Sequence, residues 1–170
     1  MKLVECVPNF SEGRRAGVIE NIRKAAESVA GVRVLDCESD RNHNRMVLTF
    51  VGTPEPVKNA ALASSALAIK EIDLRTHTGE HPRMGAVDVV PFVPISEVTM
   101  DDCVALANEF ASEFAAFLIF SITPALLPSL KFGTHSTVML TLGEICLFCR
   151  STSNFGQKVR RALRQDTKRS

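Results

Sequence analysis

Residues 76–92 read Thr-His-Thr-Gly-Glu-His-Pro-Arg-Met-Gly-Ala-Val-Asp-Val-Val-Pro-Phe. Two histidines, a carboxylate and an arginine crowd a loop whose bends are Gly79, Pro82 and Gly85, and the loop runs into an apolar strand, Val87 to Val93. Pro91 cannot donate to a ladder, so it puts that strand at an edge or a bulge. Histidine titrates nearest neutrality of all side chains, which makes the loop a candidate for proton transfer. The spacing His77-x-x-Glu80-His81 also matches the inverted zinc-peptidase pattern. That pattern needs both imidazoles on one helical face. Gly79 weakens a helix here, and Pro82 drives His81 out of helical backbone. No metal site is therefore expected. The plainer alternative is a pair of loop histidines without chemistry.

Either side of this stretch the hydrophobic pattern supplies regular elements. Leu3 to Pro8 reads as a strand, and Asn9, Ser11 and Gly13 turn the chain. Val18, Ile19, Ile22, Ala25, Ala26 and Val29 recur at helical spacing, predicting a helix over 15–30 with Gly31 as its C-terminal cap. Val32 to Cys37 and Arg45 to Val51 read as strands, separated by a polar loop over 38–44 that is too long for a tight hairpin. Thr53 and Pro54 open the next helix, with Val57, Ala60, Ala61, Ser64, Leu67 and Ala68 inward. Thr99-x-x-Asp102 is a capping box, and Val104, Ala107, Phe110, Ala111 and Phe114 form the face of a third helix. The order β-α-β-β-α-β followed by α predicts an α+β fold, a ferredoxin-like sheet with helices packed on one face.

From residue 115 the pattern weakens. Phe114 to Leu130 has no charged residue, but Pro124 and Pro128 interrupt it, so a buried strand over 117–122 and then irregular chain is expected rather than a membrane span. Cys146-x-x-Cys149 has no second pair for zinc and no clear helix start for a redox pair. The 170-residue chain is 45% hydrophobic and 23% charged, with a net charge of +1, which offers no electrostatic case for nucleic acid. The basic end, Lys158 to Arg169, reads as a solvated tail. Met1 to Cys6 is no secretory signal, and Cys6, Cys37 and Cys103 sit in apolar surroundings; a reducing cytoplasmic compartment is expected.

Glu-Cys-Val-Pro-Asn-Phe-Ser-Glu-Gly (5–13), Asn44-Arg45, Thr-Phe-Val-Gly (49–52) and residues 77–92 together resemble the N-terminal subdomain of the formiminotransferases, also called glutamate formimidoyltransferases. The similarity runs from about residue 2 to about 114. It implies a domain over 1–122 and an atypical tail over 123–170. It also implies transfer of a formimino group from N-formimino-L-glutamate to N5 of tetrahydrofolate, a step of histidine breakdown, with tetrahydrofolate as co-substrate. By the same resemblance, His81 is the acid/base and Glu38 assists it. Arg45 and Arg83 are candidates to hold substrate carboxylates, because guanidinium forks match them; the alternative for each is a surface charge. Gly85 and Asn9 complete the candidate substrate-binding set, although Asn9 could equally cap its own turn. The family places its folate between two similar subdomains. Residues 115–170 have no counterpart there and read as a substituted tail, so one wall of that cleft is expected to be missing. A homodimer, in which a second chain supplies the wall, is one arrangement the sequence allows. A folded but inactive folate- or partner-binding half is the other reading.

Overall fold

The computed structural model describes residues 1–80 and 84–126, with side chains to 118. The chain runs β1 (Leu3–Cys6), β2 (Asn9–Phe10), α1 (Ala16–Glu27), β3 (Val32–Asp40), β4 (Arg45–Gly52), α2 (Pro54–Glu71), β5 (Val87–Val89), β6 (Phe92–Ser96) and α3 (Met100–Leu126). Every pairing is antiparallel. β4 is central, with β3 on one side and both β1 and β2 on the other; β6 then flanks β1, and β5 flanks β2. Joined end to end, β1–β2 and β5–β6 behave as two interrupted strands. The sheet is thus the expected α+β split unit, with each helix crossing over to a strand one place removed.

The interruptions fall at prolines. Pro8 has no amide to give, yet its carbonyl accepts the Leu48 amide at 3.0 Å. Pro91 lies between β5 and β6, and its carbonyl accepts the Val7 amide at 3.2 Å. The predicted single strand over 87–93 is therefore two short strands, broken where the ladder has no donor.

Strand alternation sorts the two faces. Val4, Cys6, Phe10, Met46, Leu48 and Phe50 are fully buried and cluster with helix residues such as Ile22, Ala26, Val57, Ala60, Ala61, Phe110 and Phe114. The small side chains of α2 allow that helix to lie close to the sheet. Glu5, Asn9, Val47 and Val51 project to the other side. Glu5, paired with Val51 and Val93, is fully buried, and neither carboxylate oxygen has a hydrogen-bond partner among the described residues. Burial pushes its pKa up to about 7.

Three further expectations need correction. The helix predicted over 15–30 stops at Glu27, and Gly31, at φ +85°, turns the chain into β3 instead of capping the helix. The polar stretch 38–44 is not a long loop: Glu38, Ser39 and Asp40 pair with Val47, Met46 and Arg45, leaving a turn over 41–44. The Asp40 carboxylate stabilises that turn by accepting the amides of Asn42 and His43, each at 2.8 Å. The strand expected at 117–122 is helical, because α3 continues to Leu126. Its apolar stripe simply persists: Phe92 meets Phe110 edge-on at 5.8 Å, and Phe110, Phe114 and Phe117 stack along the helix. The capping box forms as read, with the Thr99 amide 2.8 Å from the Asp102 carboxylate and the Asp102 amide 3.1 Å from the Thr99 hydroxyl. Cys146 and Cys149 lie outside the described residues.

Candidate active site

Three segments converge at one end of the sheet: the turn after β2, the β3–β4 hairpin, and the stretch between α2 and β5. Asn44 ties them together. It has a left-handed backbone, φ +52°, which asparagine tolerates better than most residues. Its side-chain oxygen accepts the Gly13 amide at 2.9 Å, and its side-chain nitrogen donates to the Thr78 carbonyl at 3.0 Å. Its own carbonyl lies 3.0 Å from His77 Nε2. The Glu80 amide bonds the Asn42 carbonyl at 3.2 Å. This approach needs glycine at two places. A Cβ at Gly79 would sit 2.4 Å from the His43 carbonyl oxygen, and one at Gly13 would sit 2.1 Å from that of Asp40.

The far side of the same stretch is held separately. One oxygen of Asp88 accepts the amides of Met84, at 2.9 Å, and Gly85, at 3.2 Å. Ser11 donates its hydroxyl to the Gly85 carbonyl at 2.7 Å, and its amide bonds the Ala86 carbonyl at 3.0 Å. Residues 80 and 84 are therefore each fastened, one to the hairpin and one to the β5 end. His81, Pro82 and Arg83 lie between them, outside the described residues.

Below the hairpin is an open hollow of about 540 Å³, lined among the described residues by Glu38, Ser39, Asp40, His43, Arg45 and Val47. Glu38 reaches it from within β3, two residues before the strand ends. Arg45, the first residue of β4, donates through Nη2 to the Asn9 side-chain oxygen. Its Nε is buried and has no hydrogen-bond partner among the described residues. Asn9 also donates to the Val7 carbonyl at 3.0 Å, so its carboxamide both closes its own turn and orients Arg45. The His43 amide and then its ring, 3.1 Å away, hold the Asp40 carboxyl below its usual range. Glu12 is buried beside this end. Burial alone would raise its pKa, but the amides of Arg15 and Arg14 and the Arg15 guanidinium outweigh that, so it stays ionised.

Of the residues expected from the sequence, Glu38, Arg45 and Asn9 are brought to one end of the sheet, and Gly85 is fixed by Asp88 and Ser11. Glu38 and Arg45 both line the hollow, so a carboxylate and a guanidinium border one open space. Residues 77–80 are not helical, so His77 and Glu80 do not share the helical face that the zinc-peptidase pattern requires. Among the described residues, no group of His, Cys, Asp and Glu side chains is arranged to hold a metal ion. Three residues central to this geometry are not among the site residues expected from the sequence: Asn44, Asp88 and Glu12. Only Asn44 carried a local signal, as an asparagine ending a polar turn.

The sequence profile described as the formiminotransferase domain, N-terminal subdomain, matches residues 3–123. The chain belongs to that family. Relatives agree with the match. A formimidoyltransferase-cyclodeaminase of Dictyostelium discoideum is 50% identical over 114 residues, 67% of this chain and 21% of that protein. Glutamate formimidoyltransferases of Thermoplasma acidophilum and Streptococcus pyogenes are 51% and 47% identical over 109 and 110 residues, covering 64% and 65% of this chain. The chain thus spans only about one-fifth of the formimidoyltransferase-cyclodeaminase and just over one-third of the glutamate formimidoyltransferases. All the hydrogen bonds described above fall inside the part matched to the formiminotransferase family. Among the described residues, no helix is long and apolar enough to cross a membrane.

Proposed function

We propose that this formiminotransferase subdomain contributes the acid/base half of a site that transfers a formimino group from N-formimino-L-glutamate to N5 of tetrahydrofolate, a step of histidine breakdown in the cytoplasm. One observation carries the reading: Glu80, the residue before His81, is hydrogen-bonded to the hairpin whose strands bear Glu38 and Arg45. That bond fixes on the hairpin the residue to which His81 is joined.

The chemistry follows from these groups. N5 attacks the amidine carbon and must shed its proton as the new C–N bond forms; the His81 imidazole takes it. The tetrahedral intermediate then breaks its bond to the glutamate nitrogen, and the imidazolium returns the proton there, so glutamate leaves neutral at nitrogen. Glu38 stabilises the transient imidazolium, as a carboxylate behind a histidine does elsewhere. Arg45, with Arg83, binds the carboxylates of formiminoglutamate; the place of Arg45 in the lining of the hollow supports this. Asn9 orients Arg45, and Gly85 lets the backbone after the loop approach the substrate.

The test is formation of 5-formiminotetrahydrofolate by the purified chain. Turnover that falls at least 10²-fold in His81→Ala, with an unchanged melt, is expected. Wild-type turnover by the variant would overturn the assignment. The competing reading is a non-catalytic half that binds folate or a partner subunit. That reading is selected if calorimetry shows tetrahydrofolate binding with no turnover.

A further inference from the structure

We infer that His77 is a positioning residue, a neutral Nε2–H donor that latches the front of the 77–88 segment onto the hairpin. Of the two histidines in that segment, the proposed chemistry uses only the second. His77 has its own geometry. Nε2 lies 3.0 Å from the Asn44 carbonyl oxygen, and a carbonyl can only accept, so the proton is on Nε2. Nδ1 is buried and has no hydrogen-bond partner among the described residues, so it is the nitrogen without a proton. The ring is thereby fixed in one tautomer, and its role is that of a donor rather than a proton carrier.

The position of this bond gives it a purpose. Asn44 already gathers the Gly13 amide and the Thr78 carbonyl with its side chain, so His77 adds the main-chain carbonyl of the same residue to the cluster. Three residues later the Glu80 amide bonds Asn42. The two bonds make His77 to Glu80 a short splint along the hairpin, ending at the residue before His81. The rear of the segment is held by Asp88 and Ser11 without help from His77. The structure of the latch stands by itself; its value for catalysis rests on the formimino-transfer reading above.

The experiment separates the two. The full chain, labelled with ¹⁵N, is examined for its imidazole nitrogen shifts and its amide exchange. A protonated Nε2 and bare Nδ1 at residue 77 are expected. A proton on Nδ1, or exchange between tautomers, overturns the proposal. In His77→Phe, the Glu80 amide should exchange at least tenfold faster while the Met84 amide, held by Asp88, keeps its rate. In His77→Gln, whose side-chain nitrogen can replace Nε2, Glu80 should remain protected. Unchanged Glu80 exchange in His77→Phe, or equal acceleration in both variants, overturns it. Should His77→Phe lose protection at Met84 as well, the glutamine variant decides. In the transfer assay, His77→Phe should lower kcat more than it raises the KM for tetrahydrofolate. A latch seen by exchange with no transfer in the wild-type chain counts against the function and leaves the latch in place.

Discussion

On the helix-packed face of the sheet, Val4, Cys6, Met46, Leu48 and Phe50 are buried among apolar side chains. At the hairpin end of the same sheet, Asn44 and Glu12 are also buried, but their neighbours are main-chain amides and carbonyls. The first region is held by area removed from water, a force without direction that tolerates shifts of a few tenths of an ångström. The second is held by bonds that fail when distance or angle changes. Stability and site geometry are therefore invested in different residues, and substitutions can separate them.

The largest effect should come from the apolar side. Phe50→Ala removes a fully buried ring at the centre of β4 and should cost about 3–5 kcal/mol in urea unfolding. A loss below about 1 kcal/mol would mean that the core collapses around the gap and is less tightly packed than it looks.

Glu5 sharpens the contrast because it is neither apolar nor bonded. Its carboxyl has an ordinary pKa of 4.5 in the unfolded chain and about 7 in the folded one. Between those values the folded state holds a proton that the unfolded state has released, so stability falls as pH rises. Below 4.5 both states are protonated and the effect vanishes; above 7 it is constant. The full penalty is about 3 kcal/mol. Glu5→Gln should flatten this slope and melt higher than the wild type at pH 7.5, measured by thermal unfolding from pH 4.5 to 7.5. A variant that keeps the slope would place the titrating group elsewhere.

The smallest effect should lie at the polar end and depend on chemistry more than size. Asp88→Ala strips the acceptor from two amides and should cost about 1–3 kcal/mol. Asp88→Asn keeps an acceptor oxygen, and its amino group can donate to Ser11, so it should cost less than half as much. Equal losses would show that the charge, and not the hydrogen bonds, holds Met84 and Gly85.

These regions also differ in how readable they were. The apolar face follows from period-2 and period-3.6 patterns: of Val57, Ala60, Ala61, Ser64, Leu67 and Ala68, read as inward, all are buried except Leu67, which is partly buried against the same core. The same cue misled at 117–122, where an uncharged run fits strand or helix and only the aromatic spacing from Phe110 onward argues for helix. Glu38, Ser39 and Asp40 read as loop because they are polar, but all three are exposed, and an exposed strand end needs no hydrophobic pattern. Asp88 was hidden for another reason. It sits inside an apolar run, and what makes it useful is the loop that folds back onto its own strand start. Asn44 works through Gly13, 31 residues earlier, and Thr78, 34 residues later, contacts that no local window contains.

The outermost strand, β3, has a further consequence. Its nine residues pair only with β4 among the described strands, and a register shift between Val34 and Asp36 puts a kink in the row. Arg33, Asp36, Glu38 and Asp40 project from it at or near every second place. A rim that is bent and studded with ionised groups is a poor template for a stranger's backbone. The polypeptide should accordingly resist stacking into fibres along that border, even when crowded.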